Sequence, residues 1–318
     1  MQEDVNIVRA ITDCDQSVKL NQFRDVVAIA ERGSLRAAAR HLQLAQPALT
    51  RSLQELEHEL GVPLFERKAR GMVLTPSGQV FVRRANNILN EVRRARDEVD
   101  QLHGGTRGKV AAGLSLAGHV ALLPKALKPF KARYPDVQLH ILDGTYPMLE
   151  AGLRDGSVDF YVGPQPEGPL PPEFVNEKLF DNTRVIIGRR NHPLAAARKL
   201  SDLEGAEWAG SWVTFHAEEE FCELFTRHNL PLPRVIFRGQ STFTLLIALT
   251  NTDLLAMVPI QFLSAESAST LAPIRIKEIL PAPPIVVVRR AGLPLTPAGD
   301  FLLDLLKRNI PRAKAKSR

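Results

Sequence analysis

Residues 33–71 (GSLRAAARHLQLAQPALTRSLQELEHELGVPLFERKARG) constrain the fold of this chain more than any other segment. Ser34 is placed to cap a first short helix, because its hydroxyl can accept an orphan backbone N–H. Pro47 suits the first turn of a second helix, and Gly61 suits its left-handed end. Leucines recur on the second helix at spacings of four, three and four, namely Leu49, Leu53, Leu56 and Leu60. The segment predicts a helix-turn-helix followed by a basic hairpin.

The second helix of this pattern carries polar side chains near its N-terminus. Gln46 can bind a base edge through two hydrogen bonds, Thr50 can contact a base or a phosphate, and Arg51 can pair with phosphate or guanine. The hairpin that follows would reach the adjacent DNA backbone or minor groove through its basic residues, Arg67, Lys68 and Arg70. The alternative is an ordinary helical hairpin with a solvated basic loop.

Taken as a whole, this segment closely resembles the N-terminal domain of LysR-type transcriptional regulators, including the QPALTR and LGVPLFER stretches. The resemblance implies a winged helix-turn-helix whose DNA contacts fall on Ser34, Arg36, Gln46, Pro47, Thr50, Arg51, Arg67, Lys68 and Arg70. One position departs from the family pattern, because Ala45 stands where serine is usual. The second helix therefore lacks a side-chain cap and a phosphate contact, and a missing cap typically costs about 1 kcal/mol.

A long helix is predicted after the hairpin, beginning at Thr75-Pro76, which suit a cap and a first helical residue. Its apolar residues form an unbroken heptad seam: Phe81, Ala85, Ile88, Val92, Ala95, Val99 and Leu102. Arginines leave only that seam apolar: Arg83, Arg84, Arg93, Arg94 and Arg96. An amphipathic helix lying on its own domain would show the same pattern, but no adjacent segment could cover the seam. We therefore expect a dimeric coiled coil, with a flexible hinge at Gly104, Gly105 and Gly108.

Strand-like and helix-like segments alternate from residue 109 onward. Strands are predicted at KVAAGLSL, VQLHILD and VDFYVG, and helices at HVALLPKALKPFKARY and PMLEAGLRDG. A proline-rich run over residues 164–172 marks a crossing into a second unit. There we predict strands at RVIIGR, EWAGSW, PRVIFRG and LLAMVP and helices at EEEFCELFTRH and STFTLLIALTN, before PIVVVRR and TPAGDFLLDLLKR return to the first unit. This alternation favours a mainly parallel sheet with right-handed crossovers.

Four stretches of this region resemble the effector-binding module of LysR-type regulators: LLPKALKPFKARYP, LEAGLRDGSVDF, NHPLA and PLTPAG. That module is α/β and two-lobed and is similar in fold to type II periplasmic binding proteins, so the resemblance covers residues 18–310. The expected organisation is a disordered leader (1–17), an all-α winged helix-turn-helix DNA-binding domain (18–76), a linker and dimerisation helix with its hinge (77–107), an effector-binding domain (108–310) and a basic tail (311–318). Lobe I would comprise about 108–166 and 283–310, and lobe II about 167–282.

Small ligands of two-lobed α/β modules bind in the crevice at the carboxyl ends of the strands. We expect hydrogen-bond donors and aromatic rings there, some of them at positions where the family often contacts inducer: Ser115, Ala117, Gly118, His119, Thr145, Tyr146, Trp212, Thr214, Ser241, Thr242 and Phe243. Helix N-termini in this set favour an anion. The GTYP stretch is loosely similar to regulators of aromatic acid or arylsulfonate degradation, so we expect an aromatic carboxylate or sulfonate. In the alternative, Thr145 only caps a helix and Trp212 only fills a core.

Composition and motifs disfavour other classes of protein. The two cysteines, Cys14 and Cys222, match no metal-ligand spacing, and the chain has neither a run of about 18 apolar residues nor a signal segment. It contains no GxSxG, HExxH, CxxC or P-loop pattern, which disfavours an enzyme. A solute-binding protein of related fold is the other alternative, and the missing signal segment counts against it.

We therefore expect a cytoplasmic regulator without catalytic residues, cofactor or metal. Its expected partners are double-stranded promoter DNA, a small co-inducer and a second copy of the chain. We expect no association with a membrane. The resemblance further implies a homotetramer and contact with RNA polymerase. The net charge is +6, but six basic and no acidic residues lie in the tail from Lys307 to Arg318. The net charge is therefore weak evidence for DNA binding by the rest of the chain. That tail is expected to be a solvated end rather than a second DNA contact.

Overall fold

The structure is a computed structural model that describes residues 18–69, 71–210, 215–239, 241–264 and 270–311. The predicted leader 1–17, Arg70, Trp212, Thr214 and the tail from residue 312 lie outside the described residues. The chain divides into two compact units. One contains the residues up to Arg96 together with Arg154–Ser157, and the other contains Asp97–Leu153 and the residues from Val158 onward.

The first unit is a helix-turn-helix with a two-stranded wing and a long helix. Its elements are α1 Leu20–Arg32, α2 Leu35–Leu42, α3 Gln46–Leu60, β1 Phe65–Lys68, β2 Gly71–Leu74 and α4 Pro76–Leu102, of which the residues up to Arg96 belong to this unit. The leucine spacing of α3 buries Leu49, Leu53 and Leu56 against α1 and α2. β1 and β2 pair antiparallel and form the wing. The predicted winged helix-turn-helix is therefore confirmed.

The helix ends follow the sequence signals. The Ser34 hydroxyl accepts the Ala37 N–H at 3.2 Å at the start of α2, and the Thr75 hydroxyl accepts the Gly78 N–H at 2.9 Å at the start of α4. Gly61 ends α3 with φ of 68°. Ala45 makes no side-chain cap for α3. The start of α3 therefore depends on Pro47 and on packing.

Helix α4 covers part of its heptad seam within the first unit. Phe81 stacks on Phe23 with ring centroids 5.5 Å apart, and Ala85 is fully buried. Further along, Ile88, Val99 and Leu102 are exposed. The seam thus begins as an intrachain contact and becomes an uncovered apolar stripe.

Arg94, one of the arginines beside the seam of α4, is buried. It is 6% exposed and donates to the Gly156 carbonyl oxygen at 3.0 Å. Asn90 donates to the neighbouring Asp155 carbonyl oxygen at 2.8 Å. These carbonyl groups lie at a helix C-terminus, where orphan acceptors attract cationic and N–H donors.

The second unit is a two-lobed α/β module. Its strands are β3 Arg107–Leu114, β4 Asp136–Asp143, β5 Phe160–Pro164, β6 Phe174–Arg189, β7 Glu207–Gly210, β8 Arg234–Arg238, β9 Ala256–Pro259, β10 Leu271–Ile274 and β11 Pro281–Arg290. Its α-helices are α5 Leu116–Ala121, α6 Leu123–Arg133, α7 Tyr146–Asp155, α8 Phe215–Arg227, α9 Thr242–Asn251 and α10 Pro297–Arg308. Two 3-10 segments lie at Leu200–Leu203 and Ile260–Ser264. The helix predicted over residues 119–134 is split at Leu122, because Pro124 has no backbone N–H for a continuous helix and is instead accommodated in the first turn of the second segment.

The prediction of a mainly parallel sheet is wrong. The main sheet has seven strands in the order β10-β6-β11-β5-β3-β4, with β9 also pairing β6. β3 is parallel to β4 and β5, but β11 is antiparallel to β5 and β6, and β6 is antiparallel to β9 and β10. The physical reason is that β6 and β11 run through both lobes in opposite directions, so each strand imposes antiparallel pairing on its neighbours.

The crossing between the lobes lies within β6. Phe174 and Phe180 pack in lobe I, whereas Ile186 and Ile187 pack in lobe II. The boundary therefore falls after Phe180 rather than near the expected residue 167. Among the described helices, none combines the length and the hydropathy that crossing a bilayer requires.

The wing approaches the turn between α1 and α2 closely enough to require glycine at position 71. Met72 N–H donates to the Gly33 carbonyl oxygen at 2.8 Å, and a Cβ on Gly71 would lie 2.3 Å from that oxygen. Gly71 also has φ of 121°. We predict that Gly71→Ala lowers the free energy of unfolding of the first unit by more than about 3 kcal/mol. The measurement is a urea titration in which unfolding is monitored by circular dichroism.

Gly61→Ala is the matched control. Gly61 has φ of 68°, but a Cβ added there would have no atom within 4 Å, so only the left-handed backbone cost of about 1–2 kcal/mol applies. Equal losses in the two variants would contradict the close approach of the wing to Gly33.

Candidate DNA-binding helix and effector site

Helix α3 exposes a polar face near its N-terminus. Gln46, Pro47 and Arg51 are exposed on this face. Thr50 is half-buried, and its hydroxyl donates to the Gln46 carbonyl oxygen at 3.0 Å. The Thr50 oxygen can still accept a hydrogen bond, but contact with a phosphate would require it to give up this bond. Gln46 and Arg51 are therefore the strongest candidates for base and phosphate contacts.

A buried carboxylate holds α3 against α1. Asp25 is 2% exposed, and one of its carboxylate oxygens accepts the Ser52 hydroxyl at 2.7 Å. The other oxygen accepts the Arg24 guanidinium at 3.1 Å. The sequence pattern does not predict this contact, because it joins residues 27 positions apart. Since Ser52 follows Arg51 directly, the bond fixes the rotation of the exposed face.

A second carboxylate fixes the wing to the same helix. Glu57 Oε1 accepts the backbone N–H groups of Leu64 at 2.7 Å and Phe65 at 3.1 Å. Two N–H donors at the start of the wing are thereby satisfied by α3 itself. The helix and the wing form one connected surface.

The remaining predicted DNA residues lie on this unit as separate exposed groups. Arg36 is exposed on α2, and the Ser34 hydroxyl retains a donor beside its capping bond. On the wing, Arg67 and Lys68 are exposed, and the Lys68 ammonium lies 3.4 Å from the Glu66 carboxylate. Such an exposed ion pair is weak, so it leaves Lys68 able to bind phosphate.

The second candidate site lies at the carboxyl ends of β3 and β4. These strands are parallel, and Leu114 is paired with Asp143 at their ends. Beyond the pair, the Ser115 N–H donates to the Val162 carbonyl oxygen at 2.9 Å and the Gly144 N–H donates to the Leu114 carbonyl oxygen at 3.2 Å. The structure thus brings the Ser115 and Thr145 segments together, as predicted.

Several predicted donors of the first segment are engaged locally. The Ser115 hydroxyl accepts the Gly118 N–H at 3.5 Å, and the Ser115 carbonyl oxygen accepts the His119 N–H at 2.9 Å. Ala117 is 1% exposed and packs in the lobe I core. The expectation that Gly118 and His119 offer N–H donors is therefore wrong.

Thr145 differs from the other predicted polar residues. Its hydroxyl oxygen is buried and has no hydrogen-bond partner among the described residues. The simpler explanation of Thr145 as a side-chain cap of α7 therefore lacks the required bond. A buried unsatisfied hydroxyl costs about 1–3 kcal/mol, and native structures retain such groups where a ligand or water completes them.

Tyr146 is not a crevice residue. Its ring is 7% exposed and makes edge contacts with Tyr161 and Phe174, with centroids 6.2 and 6.1 Å away. This placement corrects the expectation that Tyr146 contacts effector, because α7 points this aromatic side chain into the lobe I core. Burial raises the pKa of the neighbouring Tyr161 phenol above its usual range.

The lobe II part of the predicted site is centred on the start of α9. The Ser241 hydroxyl caps this helix, accepting the Thr244 N–H at 3.1 Å, and lies 2.8 Å from the Thr244 hydroxyl. Thr242 is half-buried and Phe243 is 70% exposed. Phe243 therefore presents an uncovered aromatic ring, whereas Ser241 is partly engaged in its own helix.

Charged groups near these helix starts are mostly paired. Arg238, at the end of β8, binds both carboxylate oxygens of Glu218 at 2.5 and 3.1 Å, and this hydrogen bond lowers the pKa of Glu218. Burial, followed by the Glu218 charge, raises the pKa of the Cys222 thiol. In lobe I, His119 Nδ1 lies 3.9 Å from the Asp143 carboxylate. Across the described part of the chain, no group of three His, Cys, Asp or Glu side chains could hold a metal ion.

Two protein families match the chain, one in each of its parts. The LysR substrate binding domain matches residues 103–311, and the bacterial regulatory helix-turn-helix protein, lysR family, matches residues 20–79. The HTH-type transcriptional regulator GbpR of Rhizobium radiobacter is 28% identical over 261 residues, covering 80% of this chain and 86% of its own. The SDS degradation transcriptional activation protein of a Pseudomonas species is 29% identical over 299 residues, covering 90% of this chain and 95% of its own.

Solved structures show the same fold. Full-length CbnR complexed with its target DNA has a TM-score of 0.67 and 22% identity, covering 92% of this chain and 99% of that chain. CbnR, a LysR family transcriptional regulator, has a TM-score of 0.66 and 21% identity in another crystal structure, covering 92% and 100%. The expected combination of a winged helix-turn-helix with a two-lobed α/β module is confirmed.

The bond between Ser52 and Asp25 leads to a stability prediction. Ser52→Ala removes a hydroxyl donor from a buried carboxylate, and a hydrogen bond to a charged group contributes about 1.5–3 kcal/mol. We expect that loss in the free energy of unfolding of the first unit, measured by urea denaturation. The control is Thr50→Ala, whose hydroxyl binds only its own helix backbone and whose removal should change stability by less than about 0.5 kcal/mol. A Ser52→Ala protein as stable as its parent would show that Asp25 does not hold α3.

Proposed function

Since the chain belongs to the LysR family of transcriptional regulators, we propose that its exposed α3 face reads promoter DNA and that a small organic anion, bound between its two lobes, alters that binding. Members of this family are regulators of transcription, which sets aside the enzyme and solute-binding alternatives.

For DNA, the proposal assigns base contacts to Gln46 and base or phosphate contacts to Arg51. Both side chains are exposed on α3, whose rotation is fixed by the Asp25–Ser52 bond. The flanking groups would bind the DNA backbone and position the helix: Ser34, Arg36, Pro47, Thr50, Arg67, Lys68 and Arg70, the last outside the described residues. This division follows the general pattern in which phosphate contacts position a protein and base contacts specify the sequence.

The second copy of the chain would pack on the uncovered stripe of α4. Ile88, Val99 and Leu102 are 39%, 59% and 69% exposed and continue a seam with heptad spacing. A stripe of this kind is costly in water and is covered in a coiled coil. We therefore propose a homodimer through the α4 seam: Phe81, Ala85, Ile88, Val92, Ala95, Val99 and Leu102. Its first two residues also pack within their own chain.

For the ligand, the observation that carries the proposal is the buried Thr145 hydroxyl without a partner among the described residues. It lies beside the starts of α5 and α7, where N–H groups and helix dipoles favour a negative charge. Phe243 and Trp212 would provide aromatic surface, with Thr214 and Ser241 as further hydroxyl groups; Trp212 and Thr214 lie outside the described residues. One relative is named for SDS degradation, and dodecyl sulfate is an organic anion. These features together support an aromatic carboxylate or an organic sulfonate or sulfate.

The DNA assignment predicts the behaviour of Arg51→Ala. We expect this variant to bind promoter DNA more weakly than the unsubstituted protein does, in gel shifts at the same salt concentration. The DNA is the promoter of the protein's own gene or of a divergently transcribed neighbour. If Arg51 contacts phosphate, the slope of log affinity against log salt should also fall by about 0.9. Arg308→Ala is the control, because Arg308 is an exposed arginine of α10. An equal effect of both substitutions would show that α3 is not the recognition helix.

The dimer assignment predicts different outcomes for two exposed valines of α4. Val99→Glu should produce monomers in analytical ultracentrifugation and weaken DNA binding, because a like charge would be buried in both copies and one half-site supplies few contacts. Val80→Glu is the control: Val80 is 51% exposed on the same helix but lies off the seam. A dimeric Val99→Glu protein would place the contact elsewhere.

The ligand assignment predicts opposite changes in two measurements for Thr145→Val. Without ligand, the melting temperature should stay constant or rise, since a buried unsatisfied hydroxyl is removed. Affinity for the anion should fall roughly ten- to a hundredfold, because a hydrogen bond to a charged group contributes about 1.5–3 kcal/mol. The measurement is calorimetry with the tightest binder among benzoate, benzenesulfonate and dodecyl sulfate.

Thr226→Val is the control for this variant. Its hydroxyl donates to the Cys222 carbonyl oxygen on the exposed side of α8, so ligand affinity should not change. Unchanged affinity in the Thr145→Val protein, with a stable fold, would mean that the ligand binds away from Thr145.

A further inference from the structure

Gln101, in the last turn of α4, is buried although its side chain is a polar amide. It is 4% exposed. Its Nε2 group donates to the Arg107 carbonyl oxygen at 2.9 Å, and its Oε1 atom accepts the Ala298 N–H at 2.9 Å. A buried amide bonded at both ends fixes the groups that it joins, because its loss would leave them unsatisfied. Gln101 therefore joins the end of α4 to the first residue of β3 and to the first turn of α10.

Gln101 restrains the segment in which the sequence predicts a flexible hinge. The Gly105 N–H donates to the Asp100 carbonyl oxygen at 2.9 Å. A Cβ on Gly108 would lie 2.8 Å from Nε2 of Gln101 and 2.9 Å from the carboxylate carbon of Asp97. Glycine at position 108 therefore allows the end of α4 to approach the start of β3 this closely. The two elements are held against each other on either side of the predicted hinge.

A second attachment lies earlier on α4. Arg94, which is 6% exposed, donates to the Gly156 carbonyl oxygen at 3.0 Å, and Asn90 donates to the Asp155 carbonyl oxygen at 2.8 Å. Both acceptors lie at the C-terminal end of α7, and both bonds are within the first unit. Carbonyl groups at a helix end lack partners in their own helix, so these donors from α4 satisfy them.

β3 and α7 lead from these attachments to the candidate effector site. β3 begins at the residue that Gln101 binds and ends directly before Ser115. α7 begins directly after Thr145 and ends at Asp155, where α4 binds it. Each element thus meets the candidate site at one end and α4 at the other. Close-packed elements shift largely as rigid bodies, because protein interiors are hardly compressible and transmit strain.

The start of α7 is seated directly on β3. A Cβ on Gly113 of β3 would lie 2.4 Å from Cδ1 of Leu149, so the α7 side chain packs against the strand backbone. The Gly144 N–H also donates to the Leu114 carbonyl oxygen at 3.2 Å, which fixes the residue before Thr145 to the end of β3. A displacement at this edge would therefore move β3 and α7 together.

We propose that β3 and α7 transmit a change at the candidate effector site to α4, with Gln101 and Arg94 as positioning residues at their far ends. This route rests on the proposed function, since it describes how the anion and DNA influence each other's binding. α4 also carries the proposed dimer seam, so a shift at either attachment would act on the pairing of two copies and thereby on their binding to DNA. A freely jointed glycine hinge would transmit no such shift.

The attachment at Gln101 is tested by limited proteolysis of the full-length protein with trypsin, in which mass spectrometry follows cleavage after Arg107. Cleavage should be slow in the unsubstituted protein, because a protease requires local opening and Gln101 holds this peptide group. Gln101→Leu removes the donor and the acceptor and should accelerate cleavage by about tenfold or more. Gln79→Leu is the control, because Gln79 is exposed in the first turn of α4. Equal rates in the unsubstituted and Gln101→Leu proteins would overturn the proposal.

The route is tested by measuring affinity for promoter DNA with and without a saturating anion, the tightest binder among benzoate, benzenesulfonate and dodecyl sulfate. Coupling between two sites usually changes affinity by about 5- to 150-fold. In Gln101→Leu we expect the anion to change DNA affinity by less than about twofold, although the protein still binds each ligand alone with the affinity of the unsubstituted protein. General damage to the fold would instead weaken binding of the ligands themselves. Coupling as large as that of the unsubstituted protein would overturn the proposal.

Arg94→Met tests the second attachment and keeps the test decisive if Gln101→Leu does not fold. Methionine retains a long apolar side chain but cannot donate to the Gly156 carbonyl oxygen. We expect the same loss of coupling as in Gln101→Leu. Arg96→Met is the matched control, because Arg96 is exposed on the same helix. Equal losses in Arg94→Met and Arg96→Met would overturn the proposal, since the cause would then be the charge of α4 and not the bond to α7.

Failure of the proposed function would give a different result. If the unsubstituted protein binds no anion, or binds it without any change in DNA affinity, the proposed function is wrong and the route is wrong with it. If the unsubstituted protein shows the change and both variants retain it, only the route through Gln101 and Arg94 is wrong.

Discussion

The Asp25 carboxylate, 2% exposed, accepts the Ser52 hydroxyl and the Arg24 guanidinium and thereby joins α1 to α3. A buried carboxylate is costly unless its oxygens are satisfied, so this pairing strongly favours one crossing of the two helices. Glu57 extends the same principle to the wing by accepting two backbone N–H groups. Because these contacts and the leucine face fix α3, its outer face is available for residues suited to DNA. The proposed recognition of DNA depends on this separation between a fixed inner face and a polar outer face.

In the second unit, the corresponding constraint is the path of β6 and β11 through both lobes. These two strands are neighbours in the main sheet. The carboxyl ends of β3 and β4 lie at one edge of this sheet, where α5 and α7 begin. Ser115 at that edge caps α5, and in lobe II Ser241, which follows β8, caps α9. Thr145 is different because its buried hydroxyl has no partner among the described residues. A ligand that supplies this partner would be recognised by few but well-placed groups, which suits a small anion.

Local signals predicted much of the fold from sequence. The hydroxyls of Ser34 and Thr75 cap their helices, and the leucine spacing of α3 matches its buried face, because these features depend on residues three or four positions apart. Such local patterns do not predict contacts between residues that are far apart in the sequence. The Asp25–Ser52 bond, the antiparallel sense of β6 and the burial of Tyr146 depend on which elements become neighbours in space. The same limit applies to the effector site, where sequence identified the segments at the edge but not which hydroxyls would be engaged within their own helices.

Site-directed cleavage of bound DNA from α3 would show whether this helix lies in the major groove. In a protein lacking Cys14 and Cys222, Gln54→Cys would carry an iron–EDTA group on the exposed face of α3. We expect promoter cleavage in two clusters separated by about one helical turn, or a multiple of it, because a dimer places two recognition helices in successive major grooves. Ile236→Cys, on β8 of lobe II, is the reference position for the same reagent. Absence of cleavage from position 54 on DNA that is demonstrably bound, with cleavage from position 236 instead, would contradict the assignment of α3 as the DNA-reading helix.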